Sequence, residues 1–63
     1  MDWKTLVMSL LAEVPSLANH GVRVDMALDT IDAIIDVESP DNEDPEPFYA
    51  MVNALRKLYV YGK

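Results

Sequence analysis

The chain has 63 residues, of which eleven are Asp or Glu and five are Lys or Arg, so its formal net charge is −6 at pH 7. This length permits one small domain and excludes a dinucleotide-binding domain with a substrate domain beside it. The absence of cysteine excludes disulfide bonds, zinc fingers and iron–sulfur ligands. A hydrophobic fraction of 51% predicts a folded core rather than a disordered acidic tail.

The first predicted helix covers about residues 3–14 and has the 3.6-residue periodicity of an amphipathic helix. It begins after Asp2 and ends before Pro15, because the residue before a proline avoids helical geometry. A short helical turn follows and is closed by Gly21. The apolar face of this helix consists of Trp3, Leu6, Val7, Leu10, Leu11 and Val14.

The second predicted helix covers about residues 23–38 and is stopped by Ser39 and Pro40. Its start is open, because residues 22–24 alternate as in a strand. An acidic connection over 39–46 leads to the third predicted helix, about 47–61, which has basic residues toward its C-terminal end. The apolar face of the second helix consists of Val24, Ala27, Leu28, Ile31, Ile34 and Ile35. That of the third helix consists of Phe48, Met51, Val52, Leu55, Leu58 and Tyr59.

These three helices predict an all-α fold, a single domain over residues 1–63 that forms a small three-helix bundle. The alternative is a helical hairpin completed by homodimerisation. Apolar burial and chain entropy nearly cancel at this length, and no disulfide adds stability. We therefore expect association with another chain, and a homodimer in particular.

The negative charge is concentrated between residues 25 and 46, which contain nine acidic residues and no basic one. Residues 1–24 are balanced, and residues 47–63 carry three positive charges from Arg56, Lys57 and Lys63. On the second helix, an acidic stripe about 60° wide consists of Asp25, Asp29, Asp32 and Asp36. The stripe is interpreted as a solvated face. Alternatively, it is a negative surface that imitates nucleic-acid phosphates and binds a basic partner.

Two further rows of side chains could form contact surfaces. Met26, Thr30, Ala33 and Val37 recur at helical spacing, and we expect the middle helix of a bundle to bury them against its neighbours. A second contact surface is the alternative. On the third helix, the candidate partner-binding residues are Tyr49, Asn53, Arg56 and Val60, with Tyr61 nearby. Tyr and Arg are the residue types that protein interfaces use as anchors.

No catalytic or metal-binding motif is present in the sequence. His20 is the only histidine and lies in the predicted turn, and the two glycines cannot form a phosphate-binding loop. The acidic connection lacks the glycine and spacing of an EF-hand and is interpreted as a solvated linker. We expect a non-enzymatic protein without catalytic residues, cofactor or metal ion.

The pattern as a whole favours a small module that binds a larger protein and inhibits or modulates it. The alternatives are an acidic nucleic-acid mimic that occupies a basic DNA- or RNA-binding groove, and a self-associating assembly subunit. The net charge argues against direct binding to nucleic acid. No apolar run approaches the ~20 residues of a membrane span, so we expect a cytoplasmic protein without a membrane partner.

Overall fold

The computed structural model describes residues 2–62, which form three packed α-helices. Helix α1 spans Trp3–Asn19, α2 spans Val24–Glu38, α3 spans Glu46–Arg56, and a π-helical turn at Lys57–Tyr61 continues α3. No strand occurs within residues 2–62. The predicted all-α three-helix bundle is confirmed. All three helices of one chain contribute to its core, whereas the hairpin alternative shares a core between two copies. Lys63, one of the cations counted at the C-terminal end, lies outside the described residues.

Helix α1 continues through Pro15, so the predicted end at residue 14 is wrong. Proline has no N–H and leaves the carbonyl oxygen of Leu11 without its helical donor, which costs about 3 kcal/mol in a helix interior. Burial on both sides of the proline opposes this cost. Val14 is fully buried, and Leu17 is partly buried one turn later. Tertiary packing therefore keeps the chain helical as far as Asn19.

Gly21 closes the end of α1, as the sequence predicts. Its N–H donates to the carbonyl oxygen of Ala18 at 3.2 Å, and the N–H of Val22 donates to that of Leu17 at 3.0 Å. These two bonds form a Schellman motif, in which the residue after the cap adopts a left-handed conformation. Gly21 has a φ of +77°, which only glycine adopts without strain. The short turn returns the chain so that α2 packs along α1.

Both ends of α2 and the start of α3 lie within one residue of the prediction. Helix α2 begins at Val24 after the extended Arg23, and the N–H of Ser39 donates to Ile35 at its other end. Helix α3 begins at Glu46, whose N–H donates to the side chain of Asp44 at 3.0 Å. The carboxylate of Asp44 thus satisfies a free amide at the positive end of the helix dipole.

The last turn of the predicted third helix is π-helical, which changes the direction of its side chains. Hydrogen bonds in a π-helix span five residues instead of four, so the side chains after Arg56 leave the α-helical register. Leu58, predicted to face the core, is 65% exposed, and Val60, predicted to lie off the core face, is partly buried. The predicted apolar face therefore holds through α3 and at Tyr59, which packs against the core, but it is wrong at Leu58.

The core lies between α1 and α2 and is covered by α3. Its buried side chains are Trp3, Val7, Leu11 and Val14 of α1, Leu28, Ile31 and Ile35 of α2, and Val52 of α3. No polar side chain within residues 2–62 is buried, so the polar chemistry of these residues lies at the surface. The helices of this part of the chain include none with the length and hydrophobicity to cross a bilayer.

The acidic connection contacts α1 and is only partly solvated. Glu43 accepts a hydrogen bond from Trp3 Nε1 at 3.2 Å and pairs with Lys4 Nζ at 2.7 Å. Phe48 packs edge-on against Trp3, with ring centroids 5.1 Å apart. The bonds from Lys4 and Trp3 lower the pKa of Glu43, and the bond to Glu43 raises the pKa of Lys4. The connection thereby links the starts of α1 and α3.

Candidate functional site

The predicted partner-binding residues of α3 face the acidic stripe of α2, and Arg56 joins the two. Its Nη2 donates to Asp29 Oδ1 at 2.8 Å and to Asp32 Oδ2 at 3.0 Å. The Arg56 side chain is only 17% exposed, whereas that of Asp29 is 73% exposed. The hydrogen bonds to Asp32 and Asp29, with their charges, raise the pKa of Arg56. The guanidinium therefore stabilises the packing of α3 on α2 and has little surface left for a partner.

Tyr49 makes the second link between these helices. Its hydroxyl donates a hydrogen bond to the carboxylate of Asp36. This bond, together with desolvation and the nearby negative charges, raises the pKa of Tyr49 to about 12. The raised pKa keeps the phenol neutral, and a donor to Asp36, in alkaline solution where an ordinary tyrosine ionises.

Asp25, the remaining member of the acidic stripe, pairs with the residue that precedes α2. Arg23 Nη2 lies 2.9 Å from Asp25 Oδ2, and this bond lowers the pKa of Asp25. Each aspartate of the stripe therefore has a hydrogen-bond donor within the chain. Asp29 and Asp32, two of the four residues of the stripe interpreted as a solvated face, share Arg56.

Of the other three candidate partner-binding residues, Asn53 lies one turn after Tyr49 on α3, and Val60 and Tyr61 lie beyond the end of that helix. Asn53 is exposed and accepts a hydrogen bond from Arg56 Nη1 at 3.3 Å. Val60 lines an open cleft of about 550 Å³ between the α1–α2 turn and the π-helical turn, which we call the end cleft. Tyr61 is 70% exposed. The wider π-helical turn separates Val60 and Tyr61 from the row that α-helical spacing predicts.

Met26, Thr30, Ala33 and Val37 form an exposed row along α2, which we call the outer row. The expected burial of this row against neighbouring helices is wrong, since all four residues are exposed. Val37 is 78% exposed and Met26 57%. Both neighbours pack on the side of α2 that carries the buried core residues, so the opposite side meets solvent. The hydroxyl of Thr30 donates to the Met26 carbonyl oxygen at 3.0 Å, which leaves its methyl group as the contact surface.

A shallow groove runs between the outer row and α1. It has a volume of about 310 Å³ and is lined by Leu6, Thr30, Ala33, Ile34, Val37 and Glu38. All of its lining residues except Thr30 and Glu38 are apolar. An engineered apolar cavity of about 150 Å³ accommodates benzene, so this groove has room for more than one side chain. The sequence signal for the groove was the second apolar row on α2, next to Ile34.

His20 and the remaining carboxylates form no metal-binding cluster within residues 2–62. The Nδ1 of His20 lies 2.7 Å from the carbonyl oxygen of Ser16, one turn earlier in α1. His20 is exposed at the end of that helix. Its ring therefore interacts with the backbone at the C-terminal end of α1.

In comparisons with known proteins, no family model matches the chain, and no curated protein or solved structure shows significant similarity to it.

Proposed function

We propose that the protein is a non-enzymatic interaction module that binds a larger protein and inhibits or modulates it. The observation that carries this proposal is the outer row on α2. Apolar side chains that are contiguous on a surface mark sites of protein–protein contact. Val37 and Met26, at the two ends of the row, are among the most exposed large apolar residues of the described chain.

The predicted surface on α3 contributes less to this proposal. Tyr49 and Arg56, its expected anchors, are hydrogen-bonded to aspartates of α2. An anchor residue must be free to fill a pocket on the partner. Val60 and Tyr61 remain candidates for a secondary contact beside the end cleft, because Tyr61 is exposed and Val60 lines the cleft.

The proposal is tested by capture with matched variants. The wild-type chain, Met26→Glu and Met8→Glu are used as baits in lysate of the source cells, and retained proteins are quantified by mass spectrometry. Met8 is the matched control, because it is a methionine of α1 that is 48% exposed and lies outside the outer row. A true partner is retained by wild type and by Met8→Glu and is lost with Met26→Glu.

The retained protein is then purified, and its activity is measured with and without the chain. We expect binding of the two purified proteins and a change in that activity. Equal retention by all three baits would contradict the proposed role of the outer row. Binding without any change in activity would contradict the proposed modulation.

The two alternative functions receive less support. A nucleic-acid mimic needs a continuous row of free carboxylates, but Arg56 interrupts the acidic stripe by pairing with both Asp29 and Asp32. Reversing Asp29 and Asp32 to Lys would also remove the ion pairs that hold α3. An assembly subunit needs attraction between copies, whereas each copy has a net charge of −6.

A further inference from the structure

The outer row has the spacing of a coiled-coil seam. Its members are four, three and four residues apart, which matches alternating a and d positions of a heptad. The row is about 16 Å long, since each helical residue rises ~1.5 Å. It therefore offers three turns of contact to a second helix. Thr30 and Ala33, the two small residues, lie at its centre, where a close approach of another helix is easiest.

The two edges of the outer row differ in chemistry. Asp29 and Asp36 of the acidic stripe border one edge, and Ile34 with Leu6 forms the apolar groove along the other. In paired helices, the residues that flank the seam select the charge of the partner. Asp29 remains 73% exposed although it pairs with Arg56, so it is accessible to a second cation.

The same charges disfavour a second copy as the occupant. Helix α2 contains five acidic residues and no basic one. If two copies packed through their outer rows, antiparallel helices would bring aspartates toward aspartates, and parallel helices would bring aspartates toward apolar residues. Neither orientation gives an attractive charge pair. A negatively charged membrane surface and nucleic acid are disfavoured for the same reason.

We propose that the outer row of α2 binds an amphipathic helix of another protein. Aliphatic side chains of that helix, spaced three and four residues apart, occupy the outer row and the groove beside Ile34. Its Lys or Arg residues lie along the edge formed by Asp29 and Asp36. This inference rests on the proposed interaction function and specifies the chemistry of its partner.

The test uses the full chain and three synthetic helical peptides of about 14 residues, or four turns. The first has Leu at the seam positions and Lys beside them, the second has Glu in place of Lys, and the third has the first composition in scrambled order. Binding is measured by fluorescence anisotropy, and the contact surface is mapped by amide chemical shifts in NMR.

We expect the first peptide to bind, to shift amides between residues 26 and 37, and to lose affinity as salt is added. Met26→Glu and Ala33→Glu should each weaken it by about tenfold or more, because they place a charge in the apolar contact. Met8→Glu should leave affinity unchanged. Circular dichroism confirms that each variant is folded.

The outcomes separate this inference from the proposed function. Failure of the first peptide to bind, equal binding of the scrambled peptide, or equal affinity for Met26→Glu overturns the basic-helix partner. If a cellular protein is nevertheless lost with Met26→Glu in the capture experiment, the interaction function stands with a different occupant. Amide shifts in the outer row that depend on the concentration of the chain alone identify a second copy instead.

Discussion

At the scale of single residues, Arg56 has the largest set of partners among the charged side chains described. It donates to Asp29, Asp32 and Asn53, and it links α3 to the acidic stripe of α2. Surface ion pairs contribute little when they are isolated and exposed. Arg56 differs because its side chain is only 17% exposed and forms ion pairs with two carboxylates.

We predict that Arg56→Ala lowers the free energy of unfolding by about 1 kcal/mol at pH 7, the upper end of the range for surface pairs. Urea denaturation measures this loss, and Lys57→Ala, at the exposed neighbouring cation, should change little. The loss should be smaller in about 1 M salt, because salt screens ion pairs at the surface. An effect that is equal at low and high salt would indicate lost packing rather than lost ion pairs.

The hydrogen bond from Tyr49 to Asp36 predicts how the stability of the protein changes in alkaline solution. Its pKa is raised to about 12 from the ordinary value of 10.0, so the neutral phenol is favoured in the folded state. The stability from its bond to Asp36 is complete below about pH 10, the unfolded pKa, and is lost as pH rises toward 12. Absorbance titration of tyrosinate should show one late step that is absent in Tyr49→Phe. In Asp36→Asn the step should move toward lower pH.

At the scale of elements, α2 has three different faces. Leu28, Ile31 and Ile35 are buried, the acidic stripe contacts α3, and the outer row meets solvent. Helical periodicity identifies all three rows in the sequence. It does not identify their neighbours, because the directions from which α1 and α3 approach depend on the turns that connect them.

Helix α1 gives a prediction about its internal proline. Pro15→Ala restores a donor for the Leu11 carbonyl oxygen but also increases the entropy of the unfolded chain. We expect the free energy of unfolding to rise by about 1–2 kcal/mol, less than the ~3 kcal/mol propensity difference. Ser16→Ala, at the exposed neighbouring position, is the control for helix propensity. A decrease in stability for Pro15→Ala would mean that the bundle needs the local geometry that proline imposes.

The acidic connection gives a prediction that tryptophan fluorescence can follow. The pKa of Glu43 is lowered by Lys4 and Trp3, so its contribution to stability is present above the unfolded pKa and is lost as pH falls through the folded pKa. Trp3, the only tryptophan, should report this acid transition directly. In Glu43→Gln the transition should disappear from the fluorescence, and Asp41→Asn should retain it.

At the scale of the whole molecule, folding reduces the charge separation along the chain. The acidic α2 and the basic C-terminal helix meet through Arg56, which pairs the two regions within one copy. The core is also closed within one chain. Both features favour a single chain over the homodimer, which remains a prediction from the chain length.

We therefore expect sedimentation velocity to give a single species near 7.1 kDa across a concentration series at low salt, because copies of charge −6 repel each other. Addition of salt tests the electrostatic part of this expectation. A dimer that persists at low salt and dissociates in Val37→Glu would instead support self-association through the outer row.

The sequence by itself determined the three helices, the stop at Gly21, the core faces of α1 and α2, and the acidic stripe. Each of these depends on local spacing, on a glycine with positive φ, or on helix-end electrostatics, which neighbouring residues specify. Only the tertiary structure decided that α1 passes through Pro15, that a π-helical turn follows Arg56, and that Tyr49 and Arg56 bind the aspartates. These features depend on burial and on contacts between residues 13 to 27 positions apart, which compete with local preference and cannot be derived from periodicity.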